Sequence, residues 1–259
     1  MAAVLGVART DGAAGRLAAA PVLQPIPAAA AQATPGTAVP EPEPVPAAVA
    51  PVAPAAPGDF AFLATDGTRP VRYDPCTPIH YAVNLTLAPA GALTDVQQAV
   101  QRLSQATGLS FVFDGTTDEI PQAHRGMVKN GRYPGWPPVL IAWAKPGTTD
   151  LLTAGAIGEG GSTWFGNPGS EVYVTGVVAI DASQNAKLVP GFGGDSVGSV
   201  LLHELGHVVG LDHVADTSQI MYATVTNKPA VYGSGDLAGL ANLGSSQGCL
   251  RHPNPAWAA

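Results

Sequence analysis

The sequence has few charged side chains, two cysteines and no long apolar run. Only 12% of its 259 residues are charged, against about 25% in an average soluble protein. Acidic residues outnumber basic ones by 19 to 12 and no Lys/Arg cluster occurs, which argues against nucleic acid as a partner because phosphate binding needs a concentrated basic surface. No apolar run approaches the roughly 18 residues of a membrane span. Two cysteines exclude a zinc site made of four thiolates and a framework of many disulfides.

Proline, by contrast, is abundant and unevenly placed. Eleven prolines lie between Pro21 and Gly58, where the only charged residues are Glu41 and Glu43. Because proline removes backbone donors and fixes φ, such a stretch favours extended conformations without a packed core. We therefore predict a disordered spacer over residues 1–58 and a folded domain over residues 59–259.

The folded region contains helices whose ends are marked by their residue types. Apolar residues at helical spacing predict a helix that begins at Thr94, with Gln97 completing a capping box, and ends before Gly108. A second helix is predicted from a cap at Asp195 or Ser196 to residue 209. A short last helix is predicted around 237–243.

Strand-like segments alternate with these helices. Strands are predicted at 79–84, 110–113, 139–144 and 171–181. This order of elements predicts the α+β fold class, with one twisted sheet packed by helices.

The most informative segment runs from His203 to His213 and reads HELGHVVGLDH, which fits H-E-x-x-H-x-x-G-x-x-H. On a helix, His203 and His207 lie one turn apart on the same face, close enough to share a metal ion. Gly210 can adopt a positive φ and end the helix, so that the chain turns back and delivers His213 as a third ligand. Three imidazoles with one open position are typical of a catalytic zinc site.

Glu204 follows the first histidine and would lie beside the metal without binding it. Zinc lowers the pKa of its water to about 7 and polarises a carbonyl group. Glu204 would take the proton of that water and later pass it to the leaving amine. The segment therefore predicts a zinc-dependent endopeptidase. The alternative is that these histidines are core residues of an amphipathic helix.

With Ile220-Met221-Tyr222 downstream, the segment resembles the metzincin signature with its Met-turn, and within that clan the bacterial matrixins. The resemblance covers roughly residues 73–244. It implies a zincin-type fold with a twisted mixed sheet, an upper subdomain at about 59–210 and a small lower subdomain at about 211–259. It also implies that Met221 forms a hydrophobic floor beneath the zinc.

The resemblance further implies that an extended protein or peptide substrate pairs with an edge strand. The segment that would supply this strand is 156–165, and the alternative is that its glycines form only a surface loop. Matrixins usually continue from the Met-turn with Pro-x-Tyr, whereas Ala223-Thr224-Val225 stands here, which leaves the depth of the specificity pocket open.

One zinc ion is predicted, and calcium binding is left open without support. The ligands of the matrixin structural zinc are not evident in this sequence. The carboxylates that could bind calcium are interpreted as solvated or capping groups: Asp114, Asp118, Glu119 and Asp181.

Cys76 and Cys249 stand near the two ends of the folded region. A disulfide between them would close a loop of about 170 residues and stabilise the fold. The alternatives are two buried thiols, or Cys76 as a regulatory zinc ligand. A disulfide favours an extracellular or cell-envelope location, although the first eight residues form only an incomplete export signal. A cytoplasmic zincin is the alternative.

A binding module of different function would share the same fold. In that reading a catalytically silent zincin, displayed at the cell envelope, holds protein or wall ligands and its metal is structural. The altered segment after Met221 favours this alternative. The intact Glu204 argues against it, because a structural site has no need of a general base. We expect the protein to be a monomer.

Overall fold

The computed structural model describes residues 59–127, 135–153 and 155–250. The predicted spacer at 1–58 and the last residues of the predicted domain, 251–259, lie outside this part of the chain. The helices and strands of the described residues are, in chain order, β1 (Ala61–Phe62), β2 (Thr65–Asp66), β3 (Arg69–Pro70), β4 (Ile79–Asn84), α1 (Ala92–Thr107), β5 (Phe111–Thr116), β6 (Val139–Ala144), β7 (Gly158–Phe165), β8 (Val172–Asp181), α2 (Val197–Val209), β9 (Leu211–Asp212) and α3 (Ser234–Leu243). Short 3-10 helices follow β8 at Ala182–Lys187 and α3 at Ser245–Gln247.

The main sheet has five strands in the order β5-β4-β6-β8-β7. The first four are parallel, whereas β7 is antiparallel to β8 and forms one edge of the sheet. Two small antiparallel pairs complete the strand pairing: β2 with β3, and β1 with β9. The mixed sheet with helices confirms the α+β class that the order of sequence elements predicts.

The centre of the sheet is covered on both faces. All six residues of β6 are buried, which explains why this strand is a continuous apolar run and does not alternate. One face packs against α1 and α2 in the main apolar cluster. The other face is covered by a smaller cluster that includes Leu151 and Leu152.

The first helix begins earlier than its sequence pattern predicts. It starts at Ala92, after Gly91 in the left-handed conformation with φ 84°. The backbone N–H of Thr94 donates to the carbonyl of Gly91, so Thr94 lies inside the helix and the predicted capping box is wrong. The end of the helix is as predicted, because Gly108 has φ 69° and its N–H donates to Ser104.

The second helix is buried along its whole length. Ser196 caps its first turn by accepting a hydrogen bond from the N–H of Ser199, and all thirteen helical residues are buried. Gly210 ends the helix with φ 120°, and its N–H donates to the carbonyls of Gly206 and His207. This helix therefore runs within one residue of its predicted bounds.

A disulfide joins Cys76 to Cys249, with their Cα atoms 5.4 Å apart. The predicted pairing is confirmed, and it connects the segment before β4 to the segment after α3. None of the described helices has both the length and the apolar character needed to span a membrane.

Candidate metal centre and active site

Three histidines meet where α2 ends and the chain turns back. His203 and His207 lie on α2, and His213 follows β9. Their Nε2 atoms are 3.1 Å apart for His203 and His207, 3.1 Å for His203 and His213, and 3.2 Å for His207 and His213. The sequence spacing predicts this convergence, and the group could hold a metal ion.

The other ring nitrogens of the two helical histidines fix their tautomers. Nδ1 of His203 is 2.7 Å from the carbonyl oxygen of Ile220, and Nδ1 of His207 is 2.8 Å from that of Leu211. A carbonyl oxygen only accepts hydrogen bonds, so Nδ1 carries the proton in each ring and Nε2 presents a lone pair. Each imidazole is thus oriented by backbone, as metal-binding histidines usually are.

Burial favours the neutral form of the three imidazoles. It lowers the pKa of His203 to about 4 and the pKa of His207 well below its ordinary value. Partial burial also lowers the pKa of His213, and the negative charge of Asp212 offsets only part of this shift. Neutral imidazole is the form that binds metal ions.

The donor set suits a small tetrahedral cation. A zinc ion about 2.0–2.1 Å from each nitrogen separates neighbouring nitrogens by about 3.3–3.4 Å, close to the separations of the three Nε2 atoms. Three lone pairs directed at one another repel unless a cation lies between them. The residues present therefore fit a metal bound by three imidazoles.

Glu204 is buried beside this cluster, with 3% of its surface exposed. Burial raises the pKa of its carboxyl group, and the charge of Glu159 adds to this, whereas a backbone hydrogen bond from Gly160 opposes it. Its Oε2 has no hydrogen-bond partner among the described residues. A buried acceptor without a partner is costly, so a hydrogen bond donated to this oxygen by a water or a ligand would be favourable.

Glycines in β7 allow this strand to lie close to Glu204. A Cβ atom at Gly158 would lie 2.7 Å from Oε1 of Glu204, and a Cβ atom at Gly160 would collide with the backbone carbonyl oxygen of Glu204. Only glycine at these two positions lets the edge strand pass directly over α2. Residues 158–165 thus form a strand, which starts two residues after the predicted Ala156.

Met221 packs beneath the histidines. Its side chain is 1% exposed, and its Sδ would lie 2.5 Å from a Cβ atom placed at Gly206, between the two helical histidines. The absence of a side chain at Gly206 therefore makes room for the thioether. A hydrophobic floor beneath a metal, which the resemblance implies for Met221, stays a prediction.

Comparison with known proteins agrees with this geometry. A family model described as matrixin matches residues 167–243, which include α2, Met221 and α3. The probable matrix metalloproteinase 095L of Invertebrate iridescent virus 3 is 32% identical over 97 residues, or 33% of this chain. The chain is matrixin-like. The predicted resemblance is confirmed, although the match spans only 27% of the viral protein's length.

The matrixin-like region carries a cavity of about 350 Å³ next to the histidines. His203 and Glu204 line this cavity, and so do Lys187 and Asp195. The segment Ala223-Thr224-Val225, which replaces the usual Pro-x-Tyr, lies in the wall too. The rest of the apolar lining comes from residues on four separate segments: Ile157, Leu188, Val200 and Ile220.

Asp236, on α3, is a residue of the site that sequence reasoning missed. It is 1% exposed, and its carboxylate accepts hydrogen bonds from the backbone N–H groups of Ile220 at 2.6 Å, Gly233 at 2.9 Å and Met221 at 3.2 Å. Burial raises its pKa, against the effect of these three donors. Because the Ile220 carbonyl in turn accepts from His203, Asp236 holds the loop that orients a candidate ligand.

Gln219, which directly precedes Ile220, binds the backbone of Asp236. Its side-chain oxygen accepts a hydrogen bond from the N–H of Asp236 at 3.0 Å. A Cβ atom at Gly233 would collide with the same oxygen, so that glycine leaves the space the amide fills. No sequence pattern signals either Gln219 or Asp236, because the partners that tie them to the site lie 15 to 17 residues away.

The carboxylates considered for calcium have other roles. Asp114 contacts His80 at 2.9 Å, and Glu119 forms an ion pair with Arg125 at 2.7 Å. Asp181 caps the 3-10 helix that follows β8. Asp118 is exposed. Calcium remains without support from the residues described.

Proposed function

We propose that this chain is a zinc-dependent endopeptidase. The observation that carries the proposal is the convergence of three imidazole nitrogens, one of which belongs to His203, together with a cavity that both His203 and the buried, unpartnered carboxylate of Glu204 line. A structural metal site has no need of such a carboxylate, because its coordination is complete. A hydrolytic site needs both an open position and a base.

His203, His207 and His213 would hold the metal, and Met221 would form the floor beneath it. Bound zinc supplies a Lewis acid that polarises a carbonyl group and lowers the pKa of a water molecule to about 7. Glu204 accepts the proton of the attacking water at its free carboxylate oxygen and returns it to the leaving amine.

The edge strand β7 would bind the substrate backbone. It pairs with β8 on one side only, and it is the last strand of the sheet. The other side of such a strand presents N–H and C=O groups that can pair with an extended peptide. Since Gly158 lies against the Glu204 carboxylate, a peptide paired at this edge would pass close to the base.

The disulfide and the charge balance bear on the setting of the enzyme. A disulfide that joins residues 173 positions apart favours an oxidising compartment. We therefore propose an extracellular or cell-envelope location. We also propose a monomeric state and protein or peptide substrates. The charge balance, 19 acidic against 12 basic residues, makes nucleic acid an unsuitable partner.

The decisive experiment compares Glu204→Gln with the wild type on a quenched peptide library, with zinc content measured on the same samples. We expect cleavage to fall by about 100-fold to 10,000-fold, as for loss of a general base, with one zinc retained per chain. Glu171→Gln is the matched control, because Glu171 does not line the cavity beside the histidines.

Two results would contradict the proposal in different ways. Wild-type activity in a zinc-loaded Glu204→Gln variant would remove Glu204 from the mechanism. A wild-type protein that binds zinc but cleaves no peptide would favour the alternative of a catalytically silent binding module.

A further inference from the structure

Two loops form much of the wall of the cavity beside the histidines. The 188–196 loop contributes Leu188 and Asp195, and the 222–233 loop contributes residues 222–226. The two loops are far apart in sequence and come from opposite sides of α2 along the chain. The width of the cavity therefore depends on whatever holds these loops at a fixed separation.

Arg102 of α1 contacts both loops at once. Its guanidinium carbon lies 3.8 Å from the ring centroid of Phe192, in the 188–196 loop. Its NH1 group donates a hydrogen bond of 3.0 Å to the carbonyl oxygen of Ala230, in the 222–233 loop. One planar side chain thus stacks on a residue of one loop and binds the backbone of the other.

The two loops also contact each other at the same point. The backbone N–H of Ala230 donates to the carbonyl of Phe192 at 3.0 Å. Ala230 is 1% exposed, so this backbone bond is shielded from water. Arg102, Phe192 and Ala230 therefore form a closed set of three contacts, which we call the Arg102 junction.

The 188–196 loop has two further supports near this junction. The carboxylate of Asp95, also on α1, accepts a hydrogen bond from the N–H of Gly191 at 3.1 Å. The carbonyl of Gly191 accepts from the N–H of Gly198 at 2.8 Å. Loss of Arg102 would leave the 188–196 loop anchored, whereas at this junction the 222–233 loop would keep only the backbone bond from Ala230 to Phe192. Further along the same loop, the Tyr232 hydroxyl would still donate to the carbonyl of Leu202 at 3.0 Å.

We propose that Arg102 is a positioning residue that sets the specificity of the cavity by fixing the distance between its two loops. It touches neither the histidines nor the cavity itself, so it acts through Phe192 and Ala230. The inference rests on the proposed peptidase function, in which the cavity receives a substrate side chain. Lysine is a poor substitute, because it lacks the planar group that stacks and donates in a fixed direction.

The experiment measures substrate preference and loop opening on the same proteins. Wild type, Arg102→Met, Arg102→Lys and Phe192→Leu are given two quenched peptides that differ by Phe or Ala after the scissile bond. For each protein, kcat and KM are determined for both peptides. Hydrogen exchange of the backbone amides is followed by mass spectrometry in 188–196 and 223–233.

In Arg102→Met, the ratio of the two kcat/KM values is expected to move toward unity by about fivefold, the scale of one cation–π or charged hydrogen-bond contact. The change is expected in KM, with kcat near the wild-type value. Exchange in 223–233 is expected to rise more than in 188–196. Phe192→Leu should act in the same direction, and Arg102→Lys should give an intermediate result. A further variant that combines Arg102→Met with Phe192→Leu should add little to either single change, because both break one junction.

Arg69→Met is the matched control, since Arg69 also donates to a backbone carbonyl, that of Gly169 at 3.3 Å, but lines a different cavity. An unchanged kcat/KM ratio in Arg102→Met, with only a lower melting temperature, would overturn the proposal. Equal exchange in 223–233 for wild type and Arg102→Met would overturn it too. Absence of chelator-sensitive cleavage in the wild type would instead overturn the proposed function, and the exchange data would still decide whether Arg102 holds the loops.

Discussion

Replacement of Asp236 by asparagine is expected to destabilise the protein and to weaken its affinity for zinc. The Asp236 carboxylate accepts three backbone hydrogen bonds, two at Oδ2 and one at Oδ1. An asparagine of the same shape can keep the two bonds at Oδ2 through its carbonyl oxygen. Its amide group would then face the N–H of Met221, so that two donors oppose each other in a buried position.

The expected loss of stability follows from the number of hydrogen-bond donors left without an acceptor. A buried donor left without an acceptor costs about 1–3 kcal/mol. Two opposed donors at a residue that is 1% exposed should lower the free energy of unfolding by about 2–4 kcal/mol. For a domain of this size that corresponds to a fall in melting temperature of about 5–15 °C. The zinc affinity should fall by about 10-fold to 100-fold, because the loop that orients His203 is loosened.

Urea unfolding of the zinc-loaded protein measures the first quantity, and competition with a chromophoric chelator measures the second. Asp216→Asn is the control, since Asp216 is an exposed carboxylate in the same loop that binds Ser218 locally. If Asp236→Asn unfolds at the wild-type urea midpoint and keeps the wild-type zinc affinity, the proposed link from Asp236 through Ile220 to His203 is wrong.

Three further perturbations test other parts of the structure. Gly160→Ala should push β7 away from α2, lower the free energy of unfolding measured in urea by about 1–3 kcal/mol and remove most of the peptidase activity. Gly126→Ala is the control, because a Cβ atom there meets open space. Equal stability of the two variants would refute the close approach of β7 to α2. Cys76→Ser should lower the free energy of unfolding by about 2–5 kcal/mol, and reductant should have the same effect on the wild type but none on the variant. Removal of zinc with a chelator should lower the melting temperature, because an ion present at about 1,000 times its Kd adds about 4 kcal/mol to the free energy of unfolding. If the melting temperature of a His207→Ala variant falls by as much on adding the chelator as that of the wild type, the assigned ligands are wrong.

The elements that the sequence predicts well are those defined by local signals. The bounds of α2 follow from the cap at Ser196 and from Gly210, which lie at its two ends. The histidines converge because a four-residue spacing on a helix and a glycine turn determine their positions over only eleven residues. The start of α1 was predicted wrongly because Gly91, with its positive φ, competes with Thr94 for the first turn.

The supports of the site are not predictable in this way. Asp236 follows the turn before α3, where an aspartate is expected simply as a helix-start residue. Its actual partners include Ile220 and Met221, 16 and 15 residues upstream. Arg102 is similarly a half-buried residue on an amphipathic helix until its contact with Ala230, 128 residues away, is known. Such contacts depend on how the elements pack, which periodicity does not encode.

The glycines of β7 connect the fold to the proposed chemistry. From the sequence alone, these glycines are compatible with either a surface loop or a strand that binds substrate. The structure shows in addition that they lie against α2. Gly158 and Gly160 face α2, where any side chain would strike Glu204. A strand with side chains at these positions would have to stand further from the helix. Since a general base works only within hydrogen-bond reach of the proton it accepts, the glycines allow a peptide paired with β7 to be held by the sheet and still lie within reach of Glu204.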